Sequence, residues 1–238
     1  TENSRLAMPE VGIGYYPDVG GSWFLNKVPE PFGLFLGLSG SPINGLDAIG
    51  LGLADYFVSN SRKEQLISEL CHTSESNNQD INSIVDQIIE GIAKSSSLEK
   101  RSLPSRIDKH GDTIEKAMAG DNLSDIYKQL YSINSEDKWI ARMQENLAYG
   151  SPLAALVVQK QLQKFRGLPL WDIFKKEMIM TAQFLRHREF PEGVRARLVD
   201  KDNNPNWTFK EFAAIKPEVI DNFFNPPWDE NPLDNLNE

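Results

Sequence analysis

The chain has 238 residues, 40% of them apolar and 25% charged, with a net charge of −9. That length and balance fit one large or two small globular domains with a sizeable core. The acidic excess argues against non-specific binding to nucleic acid or to an anionic membrane, both of which need basic surface, and no apolar run is long enough to span a bilayer.

A single cysteine, Cys71, excludes an intrachain disulfide and a cysteine zinc cluster. The three histidines, His72, His110 and His187, are far apart and form no His-x-x-x-His pair, so no metal is expected. The chain opens at Thr1, without an initiator Met or a charged leader followed by an apolar stretch. A processed form or a piece of a longer chain is the expectation.

In chain order, residues 5–16 predict a short extended piece and then a loop, because Gly12 and Gly14 disfavour helix. Pro17-Asp18 predicts a helix start with Asp18 as N-cap, and Trp23, Phe24 and Leu25 supply apolar surface. Gly20 and Gly21 permit close backbone approach. Residues 32–40 and 44–53 predict two short packed helices around a turn at Ser41-Pro42, and Ala54–Val58 reads as a strand. Composition turns polar at about Ser59, so 1–60 is expected as a mixed α/β domain and 61–238 as a mainly helical one.

In INSIVDQIIEGI the apolar positions Ile81, Ile84, Val85, Ile88, Ile89 and Ile92 recur at helical spacing and predict a core face. Residues 95–105 read as a loop. Helices are expected at 111–119 and 123–132, and another capped by Ser135. Ser151-Pro152 predicts an N-cap with Pro at the first helical position, and Gly167 the end of that helix. A long helix is expected from Pro169 to His187, a turn at 200–207, and a loosely packed tail from Pro226. Cys71 reads as a small buried apolar residue, and Lys201 as a solvated turn residue.

The unusual stretch is MPEVGIGYYPDVGGSWFL, residues 8–25, where Glu10 and Asp18 interrupt an apolar, glycine-rich run. Desolvation would raise the basicity of Glu10 and suit it to act as nucleophile or general base. Asp18, at a helix N-terminus, would be favoured as the anion. Two acids in different settings can take two roles. Against this stands a plainer reading: Asp18 caps a helix, and Glu10 pairs with Arg5 or faces solvent. Ser22, Ser39 and Ser151 have no nearby His for a serine triad, and Gly20-Gly21 lacks the Lys-Ser/Thr of a phosphate loop.

The segment resembles the crotonase (enoyl-CoA hydratase/isomerase) superfamily, in its 3-hydroxyisobutyryl-CoA hydrolase branch. The residues that carry the resemblance are Met8-Pro9-Glu10, Ile13 to Gly21, Leu38-Ser39-Gly40, Asp47 to Ala54, and FPEGVRARLVDKDNNPNW at 190–207. It implies an α/β fold class: the C-terminal part of a ββα spiral, at 1–60, followed by a mainly helical region. It implies an acyl-CoA thioester hydrolase in which Glu10 attacks the carbonyl or activates water, while Asp18 holds the substrate hydroxyl or the water; both would also bind substrate. Asp18 stands where the hydratases have Gly. A hydratase or isomerase, and a non-catalytic protein on this fold, are the alternatives. Coenzyme A would enter as part of the substrate, with no separate cofactor. An acyl-CoA is the expected partner, a homo-oligomer is possible, and the location would be the cytoplasm of a bacterium or the mitochondrial matrix of a eukaryote. The family's N-terminal half, with its oxyanion-hole donors, has no counterpart here. The chain alone is therefore expected to be a poor hydrolase.

Overall fold

The computed structural model describes residues 1–72 and 80–236. The polar stretch at 73–79 and the last two residues of the tail lie outside the described residues. In chain order the helices are α1 (Gly21–Leu25), α2 (Phe32–Ser39), α3 (Gly45–Gly50), α4 (Lys63–Cys71), α5 (Ile81–Ser95), α6 (Ser97–Ser102), α7 (Arg106–Met118), α8 (Leu123–Tyr131), α9 (Lys138–Tyr149), α10 (Pro152–Phe165), α11 (Leu170–Arg186), α12 (Glu189–Val194) and α13 (Pro217–Asp221). Strands β1 (Arg5–Leu6) and β2 (Ile43–Asn44) pair antiparallel, Arg5 opposite Asn44 and Leu6 opposite Ile43. Among the described residues no helix is long and apolar enough to cross a membrane.

The chain forms two compact units, one of Thr1–Leu6 with Pro42–Gly111, the other of Ala7–Ser41 with Asp112–Glu238. Residue 60, where composition shifts, lies inside the first unit.

The first unit is organised by Asn44 and Asp47. Asn44 Oδ1 accepts the N–H groups of Leu46 and Asp47, and Asp47 Oδ2 accepts that of Asn44 at 3.0 Å, a reciprocal cap on α3. Asp47 Oδ1 also accepts the N–H of Arg106 at 2.7 Å and of Ile107 at 3.1 Å, so one buried carboxylate satisfies the starts of both α3 and α7. Three expectations fail in this unit. Ala54–Val58 is not a strand: the N–H groups of Leu53 and Ala54 turn back to the carbonyl of Ala48, and among the described residues no strand lies beside them to complete a ladder. Residues 95–105 contain α6, started by the fully buried Ser96, whose hydroxyl donates to the Ile92 carbonyl and accepts the Ser59 N–H. Cys71 is exposed at the end of α4. On α5 only Ile92 is buried, whereas Ile84, Val85 and Ile88 are half-buried.

The core of the second unit is built around α10. Ser151 caps it by accepting the Ala154 N–H at 3.1 Å, Pro152 opens it, and Gly167 follows its end in a left-handed conformation. Leu153, Ala154, Ala155, Val157 and Val158 are fully buried, and α10 packs on α1, α2 and α13. Gly33 lets α2 cross α1 closely, because a Cβ there would stand 2.1 Å from the Leu25 carbonyl oxygen. Helix α9 is capped by Asp137 rather than Ser135: Asp137 accepts the Trp139 N–H at 2.9 Å, while Ser135 accepts the N–H of Asp137.

Candidate active site

The sequence MPEVGIG does not continue as an extended strand. Glu10–Ile13 is a single 3-10 turn, ended by Gly14 at φ +65°. Val11 is buried, and its carbonyl accepts the Ser151 N–H at 3.1 Å. A Cβ on Gly14 would lie 2.5 Å from the Glu189 carbonyl oxygen and 2.9 Å from the Trp207 ring. From the opposite side a Cβ on Gly193 would lie 2.1 Å from the Ile13 carbonyl oxygen. The turn that presents Glu10 is thus pressed backbone to backbone against α12, at two positions where only glycine fits.

The far motif FPEGVRARLVDKDNNPNW supplies that backing. It folds as the end of α12, a π-helical turn at Arg195–Val199 and a loop. Arg195 gathers it: its guanidinium donates to both oxygens of Glu192, to Asp200 and Asp202 at 2.7 Å each, and to the Asn204 carbonyl. Hydrogen bonding to Arg195 holds the Glu192 carboxyl down at about 2. The loop then delivers Trp207, whose Nε1 donates to the Tyr149 carbonyl at 2.9 Å beneath the Glu10 turn. Asp200 and Asp202, flanking Lys201 in sequence, are therefore structural ligands of Arg195.

Glu10 opens on a pocket of about 530 Å³, with Arg142, Glu145, Asn146 and Tyr149 of α9 and Arg197 of the π turn also on its walls. Arg142 pairs with Glu145 at 3.1 Å, Arg197 lies 5.2 Å from the Tyr149 ring centre, and Asn146 donates to the Ser39 carbonyl. Glu10 Oε2 is buried and accepts no hydrogen bond. Burial, and secondarily the nearby charge of Asp18, pushes the Glu10 carboxyl up to about 7. The charge of Asp18 reaches Glu10, but Asp18 does not line the pocket.

Asp18 does not cap a helix. The N-cap of α1 is Gly20, with no capping side chain of its own. The cap comes from α11: Glu177 Oε2 accepts the Gly20 N–H at 2.7 Å, and its Oε1 accepts the Ser22 N–H at 3.2 Å and the Ser22 hydroxyl at 2.6 Å. Asp18 is not favoured as the anion either; burial raises its pKa, partly offset by its own backbone N–H and by the Tyr15 hydroxyl. Tyr15 and Tyr16 share Thr181 of α11 at 2.8 Å each, and Gln161 of α10 donates to the Pro17 carbonyl at 3.0 Å.

Sequence reasoning singles out both acids and misses the buried polar residues that hold the segment between them and α1. Glu177 and Gln161 had a signal: each sits on an otherwise apolar stripe, Ile173, Met180 and Phe184 on α11, Val157, Val158 and Phe165 on α10. A polar residue at such a position must find a buried partner. Glu189 had none. It is fully buried, its Oε2 has no partner, and burial pushes its carboxyl up to about 7.

The family profile described as Enoyl-CoA hydratase/isomerase matches residues 1–224. The 3-hydroxyisobutyryl-CoA hydrolase, mitochondrial, of Dictyostelium discoideum is 35% identical over 227 residues, which is 95% of this chain and 57% of that protein. Among solved structures, a carnitinyl-CoA dehydratase from Mycobacterium thermoresistibile superposes with a TM-score of 0.79 at 26% identity, covering 98% of this chain and 63% of the other. An enoyl-CoA hydratase from Rhodobacter sphaeroides gives 0.74 at 27% identity, covering 95% and 60%. The chain spans less than two thirds of the length of each. A helical chain with a vestige of sheet, superposing on these enzymes and carrying both end motifs, belongs to the enoyl-CoA hydratase/isomerase family.

Proposed function

We propose that this chain carries the reacting carboxylates of an acyl-CoA thioester hydrolase, with 3-hydroxyisobutyryl-CoA as the substrate. The observation that carries the reading is Glu10: a buried carboxylate oxygen with no partner, on a pocket, with its pKa pushed up to about 7. A carboxyl titrating near neutrality is matched to proton transfer or attack at that pH. As nucleophile, the Glu10 oxygen bonds to the thioester carbon, the C–S bond breaks, and the thiolate leaves and takes up a proton. A thiol with pKa near ~8.5 is a good leaving group. Water then cleaves the mixed anhydride, releasing the acid and restoring the carboxylate. As base, Glu10 takes a proton from water, and that water attacks the same carbon. Asp18 holds the substrate hydroxyl or the water in either route. The name of the Dictyostelium relative supports this chemistry and a mitochondrial location.

A second reading, hydration or dehydration of an acyl-CoA, is favoured by the two solved structures, named as a dehydratase and a hydratase. Thiol release from 3-hydroxyisobutyryl-CoA, measured beside hydration of an enoyl-CoA, separates the two. The assay uses the chain with any sequence that natively accompanies it. Thiol release lost in Glu10→Gln supports the hydrolase; hydration without thiol release overturns it.

A further inference from the structure

Glu177 behaves unlike an ordinary helical acid. It is 3% exposed, on the buried stripe of α11, and both its oxygens are occupied by donors at the start of α1. The turn just before α1 is strained. The Gly21 N–H returns to the Asp18 carbonyl at 2.8 Å, and the two central residues, Val19 and Gly20, have φ of +54° and +80°. Such a mirror-image turn suits Gly and Asn, and a β-branched residue in it is an outlier. Val19 is 73% exposed, so burial of its side chain does not hold it there. Strain of this kind persists only where the surroundings over-determine the backbone. Here the fixing groups are Glu177, on Gly20 and Ser22, and Gln161, on the Pro17 carbonyl and the Ser22 hydroxyl. They bracket Asp18 on both sides in sequence.

We propose that Glu177 is a positioning residue for Asp18: its carboxylate clamps the left-handed Val19–Gly20 turn and so fixes the Asp18 carboxylate. The inference rests on the reading of Asp18 given above. Burial raises the Asp18 pKa against the Tyr15 hydroxyl, in the loop, which lowers it, and the Asp18 charge in turn adds to the burial that raises Glu10 on the 3-10 turn and Glu177 on α11.

The test compares Glu177→Gln, Glu177→Asp and the double variant Glu177→Gln with Val19→Gly, using Asp18→Asn as reference. Thiol release is measured, and the Asp18 carboxyl is titrated by carbon NMR. Gln keeps the length but sets an amide N–H₂ against backbone and hydroxyl donors; Asp keeps the charge but withdraws it by one methylene. Both single variants are expected to lower kcat by about 10- to 100-fold, the scale of a small misplacement, with KM within about threefold of the parent. Val19→Gly is expected to restore most of the loss, because glycine holds positive φ without a clamp. Releasing the turn alters the burial and the Tyr15 hydrogen bond that set the Asp18 titration, so its midpoint is expected to move in both single variants and to return with Val19→Gly. Full kcat in Glu177→Gln beside an impaired Asp18→Asn overturns the proposal, as does an undiminished Glu177→Gln effect on top of Asp18→Asn. If Asp18→Asn itself is fully active, the catalytic reading of Asp18 fails, and the titration alone judges the clamp: an unmoved Asp18 in Glu177→Gln overturns it. Should Glu177→Gln not fold, Glu177→Asp, alone and with Val19→Gly, carries the same comparison.

Discussion

The carboxylate of Glu177, on α11, accepts the Gly20 N–H at 2.7 Å and takes the capping place that local sequence assigns to Asp18. The two acids therefore have separate duties. Glu177 satisfies the start of α1, and Asp18 is left free of capping, with its pKa raised by burial and its charge acting on Glu10.

That separation can be probed with Asp18→Ala, since Ala cannot cap a helix whereas Asn caps as well as Asp. A lost N-cap would cost about 1 kcal/mol. With capping done by Glu177, Asp18→Ala should leave the melting temperature nearly unchanged, as differential scanning calorimetry would read. A fall of several degrees would mean that Asp18 bears structural load after all.

Glu10 and Glu189 give a prediction about pH. Burial raises both carboxyls from 4.5 to about 7. Between those values the folded chain holds protons that the unfolded chain has released, so stability from this source is full below about 4.5 and is lost as pH rises through about 7. Glu189→Gln removes one such group. It should raise stability by about 1–2 kcal/mol near pH ~8 and change it little near pH ~4. Thermal melts at the two pH values would show the difference; equal effects at both would contradict it. In turnover, ionisation of Glu10 should appear as an acidic limb of kcat/KM centred near 7.

Val19 holds φ +54° while 73% exposed. A left-handed conformation costs an L-residue about 1–2 kcal/mol, and glycine loses part of that gain through its freer unfolded chain. Val19→Gly should therefore stabilise by about 0.5–1 kcal/mol in a denaturant melt. Destabilisation would show that the Val19 side chain makes a contact worth more than the strain.

Gly193→Ala should do the opposite. Its Cβ would stand 2.1 Å from the Ile13 carbonyl oxygen, and backbone lies on both sides of the clash. A loss of about 2–4 kcal/mol is expected, with displacement of the turn that carries Glu10 and hence loss of turnover in the molecules that still fold. A neutral substitution would contradict the close packing of α12 on that turn.

Signals that act within a few residues were legible in the sequence. Ser151-Pro152 and Gly167 bound α10 as their chemistry requires, the period of the apolar residues located α5, and the long helix expected from Pro169 to His187 is α11. Glu10 and Asp18 stood out because carboxylates are rare in apolar, glycine-rich runs. What stayed hidden depends on partners distant in sequence. Glu177 lies 157 residues from Gly20, and its capping role exists only once α11 packs on α1. Ile88 reads as core by its spacing, yet it is half-buried, because only the end of α5 at Ile92 is fully covered. Asp200 and Asp202 look like a solvated turn until Arg195 is placed between them.

The most direct measurement is thiol release from 3-hydroxyisobutyryl-CoA by Glu10→Gln and Asp18→Asn, each with its fold verified by calorimetry. An amide can neither attack the thioester effectively nor accept a proton at neutral pH, so Glu10→Gln should abolish turnover, and Asp18→Asn should lower it by at least ~100-fold, within the range for a lost acid–base group. Folded Glu10→Gln protein that releases thiol at the parent rate would contradict the account.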